Sequence, residues 1–339
     1  MSKILLAEGF GNLTDGTHTV ASEREIFGEQ WPSVGANYVI DDIGDGRKWC
    51  KAPANYTNPA FASKSWTGET EIYFSCRIYR GDTGYSGVVY FYSGASTLGG
   101  IWIDTNGKVS YSNYPHTTIG IVAVSTASLP LDSITHIEVK VTFHNSTGAV
   151  RIWINGVEDS NTTGIDTINA GTSCTGVVLM KEDGRLLWKY TDFVVHNDTG
   201  PLGDVGVYYF PANADGAETD FTPSAGDNYQ CLDDIGPDED TTYNESDGTA
   251  GHRDTINTTN PTGLTIISVG ALVRARKTDT GAATLLIGAK HSTNETQSAA
   301  KALSTDYLTL LEFIDDVPGG TGWTLTQVQD ALVSYEVGA

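Results

Sequence analysis

Glu69 and Glu71 are the closest approach in this chain to the paired carboxylates with which β-fold glycosidases act on a sugar. Two positions apart on an extended strand they would share a face, but the third acid of an ExDxxE arrangement is absent, and a charged strand edge accounts for both. The seven histidines, His18, His116, His136, His144, His196, His252 and His291, show no metal-ligand spacing and no HExxH. No GxSxG elbow, GxxxxGK phosphate loop or GxGxxG turn is present, so the residue types argue against an enzyme. Acidic clusters at Asp41, Asp42 and Asp45, at Asp233, Asp234, Asp238, Glu239 and Asp240, and at Asp315 and Asp316 offer hard oxygen ligands of the kind Ca²⁺ takes. Asp238 and Asp240 are the candidate metal ligands. None of these clusters matches an EF-hand loop, and solvated turns explain them equally; no other cofactor is expected.

Binding without catalysis needs exposed aromatic faces. Trp102 and Trp153 are expected to point outward from strands, and Tyr85, Tyr111 and Tyr114 to sit in loops, where they could stack on sugar rings. Outward aromatics on strands are also what a neighbouring domain or a second subunit covers. Cys50, Cys76, Cys174 and Cys231 lack CxxC spacing, which removes zinc and redox motifs; Cys76 reads as a small buried apolar residue.

Lys plus Arg number 20 against 42 Asp plus Glu, a net charge of −22 that repels nucleic acid and anionic membranes. No apolar run reaches the ~18 residues of a membrane span, and the start MSKILLAEGFG does not read as a secretory signal, so folding in a cytoplasm is expected.

The elements that would position these residues are strands. In HIEVKVTFHNSTGAVRIWINGV, from His136 to Val157, Ile137, Val139, Val141 and Phe143 alternate with His136, Glu138, Lys140 and Thr142. Across the Asn-Ser-Thr-Gly connection Val150, Ile152 and Ile154 face the core, with Arg151, Trp153 and Asn155 outward. The hairpin ends at Asn155-Gly156, a pair that tolerates positive φ and turns the chain sharply, and Asn106-Gly107 stands between two arms as a second hairpin turn. EIYFSCRIYR, GVVYFYSG, IGIVAVSTASL, CTGVVLMKE and LLWKYTDFVVHN add further strands. The pattern breaks in NDTGPLGD, Asn197 to Asp204, where a domain boundary is placed. Beyond it GVYYFP reads as a strand, the next forty residues as a long polar loop, and LTIISVGALVRARK as a strand with Ile267, Val269, Ala271, Val273 and Ala275 on one face. ATLLIGAKHS, DYLTLLEFID and SYEV read as strands, and LTQVQDAL as a short helix capped by Thr324 or Thr326. The expected fold is all-β: two antiparallel, jelly-roll-like β-sandwich domains, residues 1–200 and 201–339.

The hairpin from His136 to Val157, preceded by GGIWIDTNGKV, resembles the laminin-G-like form of the concanavalin A-like lectin and glucanase superfamily over about Glu71 to Asn197. ILLAEGF, TDFVVHNDTGPLGDV and FPANADGAETDFTPSAGDNYQCLDDIGPDEDTTY together resemble a two-domain virion structural protein of tailed bacteriophages over nearly the whole chain. That resemblance implies a non-catalytic protein on the virion, folded in the host cytoplasm. It would be displayed as a homo-oligomer among other virion proteins, with tail attachment preferred to capsid decoration, and would touch host surface glycans. A stand-alone lectin-like module and a polysaccharide-degrading enzyme are the competing readings.

Overall fold

In a computed structural model, the described residues are 4–9, 16–18, 33–34, 38–42, 47–51, 61–63, 65–114, 120–179, 188–234, 238 and 240–339. The described residues are all-β but for short helical turns and divide into two compact units, one up to residue 208 and the other from 209 to 339. Among the described residues no helix is long and apolar enough to cross a membrane.

The first unit is a sandwich of two antiparallel sheets. Its nine-stranded sheet runs, in spatial order, Val157–Ile165, Gly148–Ile154, Ile134–Thr142, Glu71–Arg80, Trp188–His196, Lys48–Lys51, Tyr38–Asp42 and Gly16–His18, with Ile4–Glu8 also paired to Trp188–His196. The seven-stranded sheet runs Ile121–Ser128, Lys108–Ser112, Ser96–Ile103, Ser86–Ser93, Gly176–Leu179, Phe61–Ala62 and Ser33–Val34.

Period-two alternation aims one side of each strand between the sheets. There Phe74 meets Phe91 edge-on at 6.4 Å, and Phe91 meets Phe143 at 5.7 Å and Tyr111 at 6.2 Å. Each such buried ring contributes roughly 1.5–3 kcal/mol relative to exposure. Ser86 Oγ and Tyr190 OH, 2.5 Å apart, join the two sheets through the core. The predicted hairpins form: Ile137 pairs with Ile154 and Val141 with Val150 across the Asn-Ser-Thr-Gly connection, Asn155 and Gly156, with φ of 49° and 77°, turn the chain into the next strand, and Gly107 takes 80°. The strand Val157–Ile165, a polar sequence with no alternation, was not foreseen; Asp159 fastens it by accepting the N–H of Thr126 and of Ala127 from the other sheet.

The second unit stacks a six-stranded sheet on a two-stranded ribbon, Val269–Ala275 with Leu308–Ile314. The sheet runs Ala212–Thr219, Arg253–Thr258, Leu332–Val337, Thr284–His291 and Asn294–Gln297, with Lys301–Ala302 beside Thr284–His291. Phe221, Ile256, Leu285, Ile287, Leu310 and Tyr335 form one cluster between the layers, and Ala271, Ala289, Ile314, Val317 and Trp323 another. The helix spans Leu325–Asp330, and Thr324 caps it by accepting the Gln327 N–H.

Two expectations fail here. GVYYFP is not a strand; the strand starts at Ala212, inside the segment read as loop, because ANADGAET pairs through its backbone with Arg253–Thr258 without an apolar face of its own. Ile267 precedes its strand and is 38% exposed instead of sharing the core face.

Candidate functional site

The outer face of the nine-stranded sheet gathers an unusual set of ionisable side chains. Phe74, Cys76 and Ile78 of Glu71–Arg80 point into the core, which turns Tyr73, Ser75 and Arg77 outward. The neighbouring strand, in register with Ser75 opposite Glu138 and Arg77 opposite His136, adds those two partners to the same face. On the other side, Trp188–His196 carries a bulge: the register slips between Thr191 and Val194, and Asp192 takes a left-handed φ of 53°. Aspartate is among the few side chains that tolerate this conformation, and the bulge re-aims its carboxylate.

Residues 202–208 cross this face transversely as a strap. The N–H groups of Leu202 and Gly203 donate to Glu138 Oε1 at 2.9 Å and Oε2 at 3.0 Å. Asp204 pairs with Arg77 Nη1 at 2.8 Å, and the Val205 carbonyl accepts from Arg77 Nη2 at 3.4 Å. Val207 N–H donates to Asp192 Oδ1 at 2.9 Å, and Tyr208 OH accepts from Arg47 at 3.1 Å. The contacts thus proceed over neighbouring strands in sheet order, from Ile134–Thr142 through Glu71–Arg80 to Trp188–His196 and on to the approach to Lys48–Lys51.

Both carboxylates are saturated. Glu138 Oε1 also accepts from His196 Nε2 at 3.2 Å, while His196 Nδ1 accepts the Asp198 N–H at 3.3 Å, which fixes the proton on Nε2. Asp192 Oδ2 accepts from Arg77 Nε at 2.9 Å and pairs with Arg47 Nε at 3.1 Å. Burial pushes the Asp192 carboxyl above its usual range, and the Val207 N–H, Arg47 and Arg77 pull it back. His136 is lowered from 6.5 to about 4, by burial first and Arg77 second among the lowering causes, against the attraction of Asp204 and Glu138. An acid whose every oxygen is occupied by a fixed donor is poorly placed to exchange protons with a substrate. The arrangement fastens a chain segment.

The structure scatters the residues singled out from sequence. Trp102 is 3% exposed and Trp153 is 6% exposed, so neither offers an open face for stacking on a sugar. Each does lie on an outer sheet face, but that face is covered. Trp153 packs near Tyr73 at 6.1 Å, and Tyr73 stacks on His196 at 4.7 Å, beside the strap. Trp102 meets Tyr90 edge-on at 5.3 Å and lies over Gly87, where a Cβ would come within 2.9 Å of the ring. Tyr111 is a core residue rather than a loop residue, its hydroxyl donating to the Thr167 carbonyl at 2.8 Å. Tyr85 and Tyr114 are both 46% exposed. They lie toward opposite ends of the seven-stranded sheet, on the order of 20 Å apart at about 3.3 Å per residue.

His136 and Glu138, read as facing solvent, are buried for the same reason as Trp153. Glu71 pairs with Lys140 at 2.7 Å and accepts the Thr142 hydroxyl, and Glu69 accepts from Asn197 Nδ2 at 3.0 Å. Asp238 accepts the N–H and hydroxyl of Thr242, whereas Asp240 is engaged by Arg276 and the Tyr307 hydroxyl. Asp315 accepts the Ser268 hydroxyl, and Asp316 the Gly322 N–H. Among the described residues no three His, Cys, Asp or Glu side chains are grouped to hold a metal ion. Asp45 and Glu239, and the side chains of Asp41 and Asp42, lie outside the described residues. Cys76, Cys174 and Cys231 are buried thiols, with burial pushing Cys174 up to about 12. Sequence reasoning passed over Arg77, Asp192 and His196; the signal was a charge set inside the apolar run of LLWKYTDFVVHN.

No protein-family model matches the chain, and no curated protein matches it. Among solved structures it is similar to an endo-β-1,4-glucuronan lyase from the fungus Trichoderma reesei, at 10% identity and a TM-score of 0.41, over 60% of this chain and all of that one. It is similar to the alginate lyase Aly36B at 16% identity and a TM-score of 0.37, over 57% of this chain and 96% of that one. A carbohydrate binding module from Bacillus subtilis is similar at 13% identity and a TM-score of 0.33, over 50% of this chain and 97% of the module.

Proposed function

We propose that this chain is a structural protein of a tailed-bacteriophage virion that works by docking and adhesion, on the tail rather than the capsid, without catalysing a reaction. The observation that carries the non-catalytic part is the occupation of Glu138 and Asp192 by backbone N–H groups, His196 and two arginines. The phage part is supported by the phrases DFTPSAGDNY and DDIGPDEDTTY and their resemblance to the two-domain virion proteins. The high negative charge suits copies crowded on a particle, where like charge opposes non-specific association. Gold-labelled antibody against the full chain, imaged on purified particles of a phage that encodes it, should mark the tail at a fixed copy number. Unlabelled particles alongside soluble chain in the lysate would overturn the reading.

Carbohydrate binding is the second reading, favoured by the exposed loop aromatics Tyr85 and Tyr114. A glycan array probed with the full chain tests it: binding lost in Tyr85→Ala or Tyr114→Ala supports a lectin role. New reducing ends, or new unsaturated ends absorbing in the ultraviolet, on incubation with polysaccharide would instead reveal an enzyme.

A further inference from the structure

The strap closes over a side chain that has no hydrogen-bond partner among the described residues. His136 is 1% exposed, and neither Nδ1 nor Nε2 finds a donor or acceptor. Beside it Ser75, fully buried, also leaves its Oγ unmet. The charged groups around the ring are Arg77 from Glu71–Arg80, Glu138 from its own strand, and Asp204 from the strap, whose Oδ1 is 3.9 Å from Nδ1. The turn Asn155–Gly156–Val157, whose Asn155 Oδ1 accepts the His136 backbone N–H, brings no charge.

Burial and Arg77 favour the neutral ring in this position, against the attraction of Asp204 and Glu138. Protonation would create a cation with two N–H donors, a carboxylate beyond hydrogen-bond reach on one side and a guanidinium on the other. Water would satisfy the imidazolium, and the strap stands between the ring and water. The strap is held by side-chain contacts rather than by a strand ladder, so lifting it leaves the sheet itself intact.

We propose that residues 202–208 are a proton-operated strap, in which protonation of His136 releases the segment from the nine-stranded sheet and frees the chain that leads to Tyr209. Seven released residues add up to about 24 Å of reach to that connection. The direction follows from linkage. With the strap closed His136 titrates near 4, and with it open near 6.5, so opening gains a proton throughout that interval. Release is favoured tenfold per pH unit and about 300-fold in all. Asp192 opposes the change at the acid end, because burial raises its carboxyl and the neutral form is the better tolerated one under the strap.

Hydrogen exchange of the full chain between pH 7 and pH 4, corrected for the intrinsic rate of each amide, tests the proposal. The strap amides of Leu202, Gly203 and Val207 should lose on the order of 100-fold in protection and stay less protected than those of Ser86–Ser93 and Ser96–Ile103 at every pH, as a local release requires. His136→Phe, which keeps an apolar ring and cannot take a proton, should abolish the acid-induced loss. Strap protection unchanged down to pH 4, strap amides as well protected as the core strands, or the same loss in His136→Phe would each overturn it. Should that variant not fold, His136→Gln makes the same comparison, and the contrast between strap and core amides in the unmodified chain still decides.

Discussion

Removing the Glu138 carboxylate is the most demanding test of the strap. The side chain is fully buried and accepts from Leu202 N–H, Gly203 N–H and His196 Nε2 at 2.9, 3.0 and 3.2 Å. Glu138→Ala leaves three donors facing a cavity. Hydrogen bonds to a charged acceptor contribute about 1.5–3 kcal/mol each, and breaking a buried ionic contact from one side costs about 3–5 kcal/mol. We expect a loss near that last figure, about 6–20 °C in Tm for a unit of this size. Glu138→Gln, which keeps the volume and one acceptor oxygen, should fall between Ala and the native residue. Tryptophan fluorescence isolates the relevant transition: among the described residues Trp49, Trp66, Trp102, Trp153 and Trp188 belong to this unit and Trp323 alone to the other. A Glu138→Ala protein within about 1 kcal/mol of the native one would refute the view that these hydrogen bonds hold the segment.

The remaining predictions address pH, packing and metal. His136 is lowered to about 4 from 6.5, so the folded unit binds fewer protons than the unfolded chain between those values. Its contribution is complete above pH 6.5 and is lost as pH falls toward 4, by up to about 3 kcal/mol, a slope that urea titrations at several pH values should show and His136→Phe should remove. In the other unit Tyr335 donates to the buried Asp254 at 2.7 Å and accepts from Asn244 Nδ2 at 2.8 Å. Tyr335→Phe should cost about 1.5–3 kcal/mol in that unit's denaturation midpoint, read through Trp323. Gly288→Ala would place a Cβ 2.0 Å from the Thr296 carbonyl oxygen, and calorimetry should find the same unit destabilised by at least 1–3 kcal/mol, on the order of an overpacked core. Because Asp240 is engaged by Arg276 and Tyr307, and Asp238 by Thr242, millimolar Ca²⁺ should leave both melting transitions unmoved relative to chelator.

Hairpins and core strands were legible in the sequence because two local rules agree there. Alternation in His136–Val157 names the buried face, and the short Asn-Ser-Thr-Gly connection joins its two arms, so Ile137 meets Ile154 and Val141 meets Val150 as the pattern requires. Where only one rule operates, the reading fails. Val157–Ile165 and Ala212–Thr219 carry no apolar face, and what makes them strands is backbone pairing to a neighbour that the local sequence does not announce.

The candidate site illustrates a deeper ambiguity. A polar side chain on an outward position satisfies the alternation rule equally well when it meets water and when it meets the backbone of a distant segment, because both offer hydrogen bonds. Glu138 and Trp153 were therefore assigned the correct side of the sheet and the wrong surroundings. NDTGPLGD reads as a domain boundary for the same reason: it has no apolar period with which to declare that it lies against anything. Its attachment comes from N–H groups, which every residue but proline carries, so composition is silent about it. What discriminates is charge in the wrong place, as with Asp192 between Tyr190 and Val194, where an isolated acid in an apolar strand must find cationic or N–H partners. Arg77 on the adjacent strand and the Val207 amide of the strap are the partners that the structure supplies to it.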